Sequence, residues 1–287
     1  MKPTRVVCVL SGGGAKGAAH VGAVKAMGEQ GLAPAHFVGT SMGAMIGAMF
    51  ASGLSYEAAV QRITGLSRRD VAQLAPGAVL GPLGRSILKE RPLRQTIARL
   101  VPATRFDDLA VPLTLTTVDL ATSELVLLGA GGRWDVPLHD ALYASSALSV
   151  YYPAAVIGGR AYADGGLRAV LPLDAAAALD ADLVVAVYVG PQVVQERQGR
   201  PGPHGLLAAH DTAMRIMMAV QAEDAIARWN ARAPLLVIRP DVDARATFKV
   251  GDALRYVEEG YRAASKALVQ WRGRGDVKGG KSVRGKG

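Results

Sequence analysis

The chain has a single cysteine, Cys8, in 287 residues, so no internal disulfide framework can brace it. Cys8 lies inside the apolar run Val6–Leu10 and reads as a buried strand residue, which suits a reducing cytosol. Aromatic residues are scarce at 5%, against 50% apolar residues overall, which argues against an aromatic-rich sandwich and for helices packed through small side chains. Long hydrophobic runs are missing, since nothing approaches the roughly 18 uncharged apolar residues of a membrane span. The apolar stretch behind the basic start stops at Leu10, short of the about 7–15 residues of a signal-peptide core. A soluble, unexported, cytoplasmic protein is expected. No group of His, Cys, Asp and Glu has ligand spacing, so neither a metal nor a cofactor is expected.

Positive charge is present in excess and unevenly placed. The net charge is +9, and Arg62–Arg105 carries nine Lys or Arg against two acids, while Arg272–Gly287 carries six against one. Two such segments on a mildly acidic body would steer the protein toward an anionic membrane or nucleic acid. The competing reading is a solvated helix face followed by a disordered basic tail over 272–287.

Strand and helix patterns alternate. Arg5–Leu10, His36–Gly39, Leu113–Asp119, Glu124–Leu128, Ala154–Ile157, Arg160–Tyr162, Leu183–Val189 and Leu235–Arg239 read as strands. Helices are predicted over Gly17–Gln30, Met42–Ser52, Tyr56–Ile63, Pro92–Leu100, Leu138–Ala147, Asp174–Leu179, Leu206–Asn230 and Asp252–Trp271. Leu183–Val189 is uninterruptedly apolar, as a central parallel strand covered on both faces should be. The sum is one α/β domain over 1–271, a mostly parallel sheet between helical layers. The irregular, basic stretch within 62–105, broken by Pro76, Gly77, Gly81, Pro82 and Gly84, suits a cover over a cleft.

Two glycine-framed turns carry the chemistry. Gly39-Thr40-Ser41-Met42-Gly43 follows a strand and opens an almost uncharged helix, the setting of a nucleophile elbow in which Ser41 is the nucleophile. The N–H of Met42 and the helix N-terminus would lie beside the reacting oxygen. The plainer alternative makes Ser41 only a helix cap. Gly12-Gly13-Gly14-Ala15-Lys16-Gly17 offers backbone N–H groups without covering side chains, a cradle for an anionic oxygen. Its G-x-G-x-x-G spacing also suits a dinucleotide turn, but no acid ends the second strand, and Lys16-Gly17-Ala18 lacks the Ser or Thr of a phosphate loop.

Serine needs a base, and histidine is the usual one. None of His20, His36, His139, His204 and His210 has an evident claim. Asp164, in Ala163-Asp164-Gly165-Gly166, is a better partner, held on a tight turn with little bulk around its carboxylate. An ordinary Asp-Gly hairpin is the alternative.

Taken together, Gly12–Gly17, Gly39–Gly43 and Asp164–Gly166 resemble the three ordered motifs of the patatin-like phospholipase family. Ala144-Ser145-Ser146-Ala147 ahead of Tyr152-Pro153, and Ile238-Arg239-Pro240-Asp241, are similar to its small bacterial members. The resemblance spans Val6 to about Ala264. It implies a three-layer α/β/α fold and a Ser41–Asp164 dyad without histidine. It also implies an oxyanion hole from Gly13 and Gly14 with Gly12, and supporting roles for Lys16, Gly17, Gly39, Gly43, Gly165 and Gly166. The implied substrate is a lipid-like acyl ester (lysophospholipase, phospholipase A or carboxylesterase activity). Peripheral contact with an anionic inner-membrane surface is a further expectation; nucleic acid is not an expected partner. One departure is that Leu167–Leu171 lacks the Asn that many relatives carry ahead of the proline, here Pro172. Two rivals remain: a Ser–Asp–His triad using His204 or His210, and a catalytically silent lipid- or partner-binding protein of the same fold.

Overall fold

The computed structural model describes residues 4–76, 86–191, 205–243 and 247–279, with side chains as far as 272. In chain order the elements are β1 (Val6–Leu10), α1 (Ala19–Glu29), β2 (Pro34–Thr40), α2 (Met42–Ala51), α3 (Tyr56–Thr64), α4 (Arg68–Val71) and α5 (Glu90–Leu100). There follow β3 (Leu113–Asp119), β4 (Leu125–Gly129), α6 (Leu138–Ser146), β5 (Ala155–Ile157), β6 (Arg160–Asp164), α7 (Gly166–Ala169) and α8 (Leu173–Ala177). The chain continues through β7 (Leu183–Val187), α9 (Leu206–Ala227), β8 (Leu235–Ile238) and α10 (Ala253–Gly279).

These strands form one sheet in the order β5-β6-β3-β2-β1-β7-β8, with β4 also on β3. The run from β3 through β8 is parallel; β4 and β6 are antiparallel to β3, and β5 to β6. Alternation along β1 divides the core into two layers: Val6, Cys8 and Leu10 pack on one face with α1, α2 and α10, while Val7 and Val9 pack on the other with α8 and α9. The expected three-layer α/β/α arrangement is present.

One contact sets the position of the site. Along one edge of β3, β4 pairs continuously from Thr114 to Val118. The other edge is shared: β2 pairs with Leu113–Thr116, and β6 takes over at Thr117–Asp119. Since β2 runs parallel to β3 and β6 antiparallel, their C-terminal ends meet head-on, with Thr40 opposite Thr116 and Asp164 opposite Thr117.

Three expectations need correction. The first helix begins as a 3₁₀ turn over Gly14–Ala18, and its small residues serve a helix as well as the sheet: a Cβ on Gly22 would lie 1.9 Å from the Val257 carbonyl of α10. The tail from Arg272 is not wholly unstructured, because α10 continues to Gly279; a helix already nucleated by a packed segment gains one hydrogen bond per residue added. Residues 280–287 lie outside the described residues. Finally, part of the basic charge of 62–105 is used internally. Arg62 donates to the carbonyls of Arg99 and Leu100 at the end of α5, 2.7 and 3.0 Å away. Arg94 lies between Glu90 and Asp140 and over the Tyr143 ring, and Arg99 pairs with Asp70.

Candidate active site

Ser41 sits where β2 becomes α2, at φ 55° and ψ −125°. A non-glycine residue there carries strain of order 1–3 kcal/mol, held only if its surroundings fix it. The glycines on either side do not absorb the turn themselves; they clear room for it. A Cβ on Gly39 would lie 2.6 Å from the Ala44 backbone, and one on Gly43 would lie 2.2 Å from the Leu10 carbonyl oxygen. So α2 is drawn tightly under the sheet, and the strain falls on the serine. Its N–H donates to the Ser145 hydroxyl at 2.9 Å, and its carbonyl accepts from the Met45 N–H at 3.2 Å. Sequence reasoning gave Ser145 no role of its own; a second serine at the end of α6 carries no signal until α6 is seen beside the elbow.

Asp164 ends β6 in the shared lane, with its N–H bonded to the Ala147 carbonyl at 3.0 Å. Gly165 then turns the chain with no room for a side chain, as its Cβ would meet the Thr116 hydroxyl at 2.2 Å. The Gly166 N–H donates to Asp164 Oδ1 at 2.7 Å. Burial pushes the Asp164 carboxyl up to about 6, opposed by the Ser41 hydroxyl and the Gly166 N–H, which both donate to it and favour the charged form. Below the pair, Thr40 Oγ1 donates to the Ala169 carbonyl at 2.8 Å and lies 2.7 Å from Thr116 Oγ1, locking the two strand ends to α7.

The glycine loop closes over this pair. Gly12 is spent, because its N–H donates to the Val170 carbonyl at 2.9 Å, and Ala15 likewise donates to Thr247 at 2.8 Å. Among the described residues, no acceptor pairs with the N–H groups of Gly13, Gly14 or Met42. Gly12 therefore drops out of the expected set of donors, and these three remain. Gly14 takes φ 59°, which brings its position within 2.5 Å of the Thr247 carbonyl oxygen for any added Cβ. Gly17 faces Met42 across the same turn. Lys16 is buried, and burial together with Arg215 brings its ammonium down to about 8, offset in part by Asp243.

The loop, Ser41, Met42, Asp164 and Gly166 line a cavity of about 610 Å³. Its walls are chiefly apolar: Met45 of α2, Val71 and Leu93 of the basic segment, Tyr151 and Tyr152, and Met214 and Met218 of α9. Among the described residues, no histidine is hydrogen-bonded to Asp164. His20, His36 and His139 hold Ser11, Thr114 and Val101 through Nε2 at 2.9, 2.8 and 3.0 Å. His210 lines the cavity on α9, and His204 lies outside the described residues. Among the described residues, no helix is long and apolar enough to cross a membrane.

Residues 8–177 match the model of the patatin-like phospholipase family. An uncharacterized NTE family protein of Mycobacterium tuberculosis is 30% identical over 198 residues, which cover 69% of this chain and 52% of that protein. Human patatin-like phospholipase domain-containing protein 6 is 31% identical over 189 residues, covering 65% of this chain and 13% of that protein. The chain thus matches about half, or less, of the length of these relatives. Among solved structures, VipD from Legionella pneumophila superimposes with a TM-score of 0.50 at 15% identity, over 93% of this chain and 67% of VipD, a likeness of fold alone. The matched span exceeds half of the sequence and contains both Ser41 and Asp164, and the chain belongs to the patatin-like phospholipase family.

Proposed function

We propose that this chain is a serine hydrolase of lipid-like acyl esters, with lysophospholipase, phospholipase A or carboxylesterase activity, working through a Ser41–Asp164 dyad. The observation that carries the reading is the head-on meeting of β2 and β6, which puts a strained serine hydroxyl against a buried carboxyl. Ser41 Oγ attacks the ester carbonyl carbon while its proton passes to Asp164. The carbonyl oxygen becomes an oxyanion, taken up by the Gly13 and Gly14 N–H groups of the glycine loop and the Met42 N–H at the start of α2. Each such donor is worth roughly 2.7–4 kcal/mol in the transition state. Collapse breaks the bond to the leaving alcohol, which takes the proton from Asp164 and departs, leaving acyl-Ser41. Water then attacks, again giving its proton to Asp164, and the serine is released with the fatty acid.

A free carboxylate is a poor base for a hydroxyl. Burial that raises Asp164 to about 6 makes it a stronger base while leaving it mostly ionised at neutral pH. The apolar cavity offers volume for an acyl chain, and Lys16 supports the loop and its local field without acting as a proton donor. Contact of the basic 62–105 segment with anionic headgroups belongs to the same proposal, carried by Lys89 and Arg91; Arg85 lies outside the described residues.

The deciding experiment is labelling with a fluorophosphonate probe beside hydrolysis of a short-chain nitrophenyl ester. The dyad predicts labelling at Ser41, lost in Ser41→Ala, with turnover lost in Asp164→Ala and kept in His210→Ala and His204→Ala. Dependence on either histidine would replace the dyad by a triad. An unlabelled, inactive but folded protein would make the chain a silent binding scaffold.

A further inference from the structure

Helix α9 reverses the pattern of a surface helix. Its polar side chains His210, Asp211, Thr212 and Arg215 turn inward to line the cavity, and Asp211 is held there by the Tyr151 hydroxyl at 2.8 Å. From Leu206 to Val220 every exposed side chain is apolar: Leu206, Leu207, Ile216, Met217 and Val220, with Ala209 and Ala213 between them. Leu206 is 87% exposed and Ile216 60%, values that water alone does not favour for contiguous large aliphatics. The next exposed position is Asp224, where the helix is already anchored to the sheet layer through Ala222, Ala225 and Ile226.

We propose that this outward face of α9 is a lipid-docking surface, an in-plane element that seats the protein on a bilayer beside its own acyl-binding cavity. The proposal rests on the esterase reading for its purpose, though not for its test. Three observations select lipid as the occupant. Leu206 and Leu207 belong both to the exposed strip and to the wall of the cavity that Ser41 also lines, so the outward apolar strip joins the cavity at its N-terminal end. Val150 is exposed between the lining residues Leu148 and Tyr151, so apolar exposure borders the cavity on a second segment of the chain. Lastly, fifteen helical residues make a strip about 21 Å long and about 10 Å wide. That falls well short of the roughly 800 Å² a side of a stable protein dimer, but it suits a helix lying about 5–10 Å deep in the interface.

The test compares the wild-type chain, Ser41→Ala and the double variant Ile216→Glu/Val220→Glu, neither of whose altered residues lines the cavity. Binding to phosphatidylcholine vesicles, neutral so that the basic segments contribute little, is read by sedimentation at low and high salt. Turnover of a soluble short-chain ester and of vesicle lipid is measured in parallel. Docking through α9 predicts salt-resistant binding that Ser41→Ala keeps and the double variant loses by at least tenfold. The double variant should retain soluble-ester turnover within twofold while vesicle-lipid turnover falls with binding. Vesicle binding by the double variant equal to wild type overturns the proposal, as does a wild-type dimer that the double variant dissociates. Absence of all ester turnover with α9-dependent vesicle binding intact would sink the esterase reading and leave the docking surface standing.

Discussion

Helices α2 and α9 both border the cavity, and both are rich in Ala and Met with few charges, yet they stand in opposite relation to solvent. From Met42 to Ala51, α2 is buried at every position except Phe50, drawn under the sheet by Gly39 and Gly43, where any side chain would collide. Its apolarity is that of a core element, and its job is to hold Ser41 still. In α9, from Leu206 to Val220, the same kind of composition faces outward, and the polar residues are the ones turned in. An apolar stretch therefore reports a partner other than water without saying whether that partner is the protein's own core or something brought to it.

The comparison can be broken most severely on the α2 side. Ser41→Ala should cut ester turnover by ~10⁴-fold or more with little loss of stability, since a catalytic unit fails as a whole when its nucleophile goes. Single-turnover kinetics with a short-chain ester would check it. Asp164→Asn is expected to lower kcat by about 10³-fold. It should also stabilise the fold, and the sign can be worked out. The carboxyl titrates at about 6 in the folded chain against an ordinary value near 3.9, so its ionised form opposes folding. The stability it allows is fully present below about pH 4 and lost as pH rises through about 6. At pH 8 the Asn variant should thus be more stable by on the order of 2–3 kcal/mol, a margin that closes below about pH 4. Thermal melts across pH would show a constant offset if this account were wrong. The same titration predicts that wild-type kcat/KM climbs through about pH 6 to a plateau.

A finer break is Ser145→Ala. It removes the acceptor of the half-buried Ser41 N–H, a loss of about 1 kcal/mol, and should lower kcat about tenfold with KM nearly unchanged as the elbow relaxes. Smallest of all, on the α9 side, Ile216→Glu alone should leave stability within about 0.5 kcal/mol, because an exposed side chain away from any anchoring contact costs little to change. A large destabilisation there would mean that α9 packs against protein after all.

Much of this was legible in the sequence. The strand–helix alternation located the elements of the sheet, and the two glycine turns together with Asp164 marked the residues that the fold brings together. What could not be read was whatever depends on distant chain segments meeting. The lane shared by β2 and β6 requires two strands 120 residues apart to use one edge of β3. Gly12 reads like its neighbours until the Val170 carbonyl takes its N–H. Ser145 becomes relevant only when α6 lies against the elbow, and Arg62, Arg94 and Arg99 look like free surface charge until their partners arrive. Which face of α9 turns outward is likewise set by how the helix packs on the cavity and the sheet, not by periodicity.

That two strands end nose to nose against one neighbour makes the sheet itself the gauge between the Ser41 hydroxyl and the Asp164 carboxylate, the two groups of the proposed dyad. A strand advances about 3.3 Å per residue and swaps faces at every step. Were β6 to pair one position out of phase, the carboxylate would move by that distance and point to the opposite layer, and the protein would fold without the proposed dyad. Lengthening or trimming the loops between β3 and β6 is therefore harmless only where it leaves Thr117 facing Asp164.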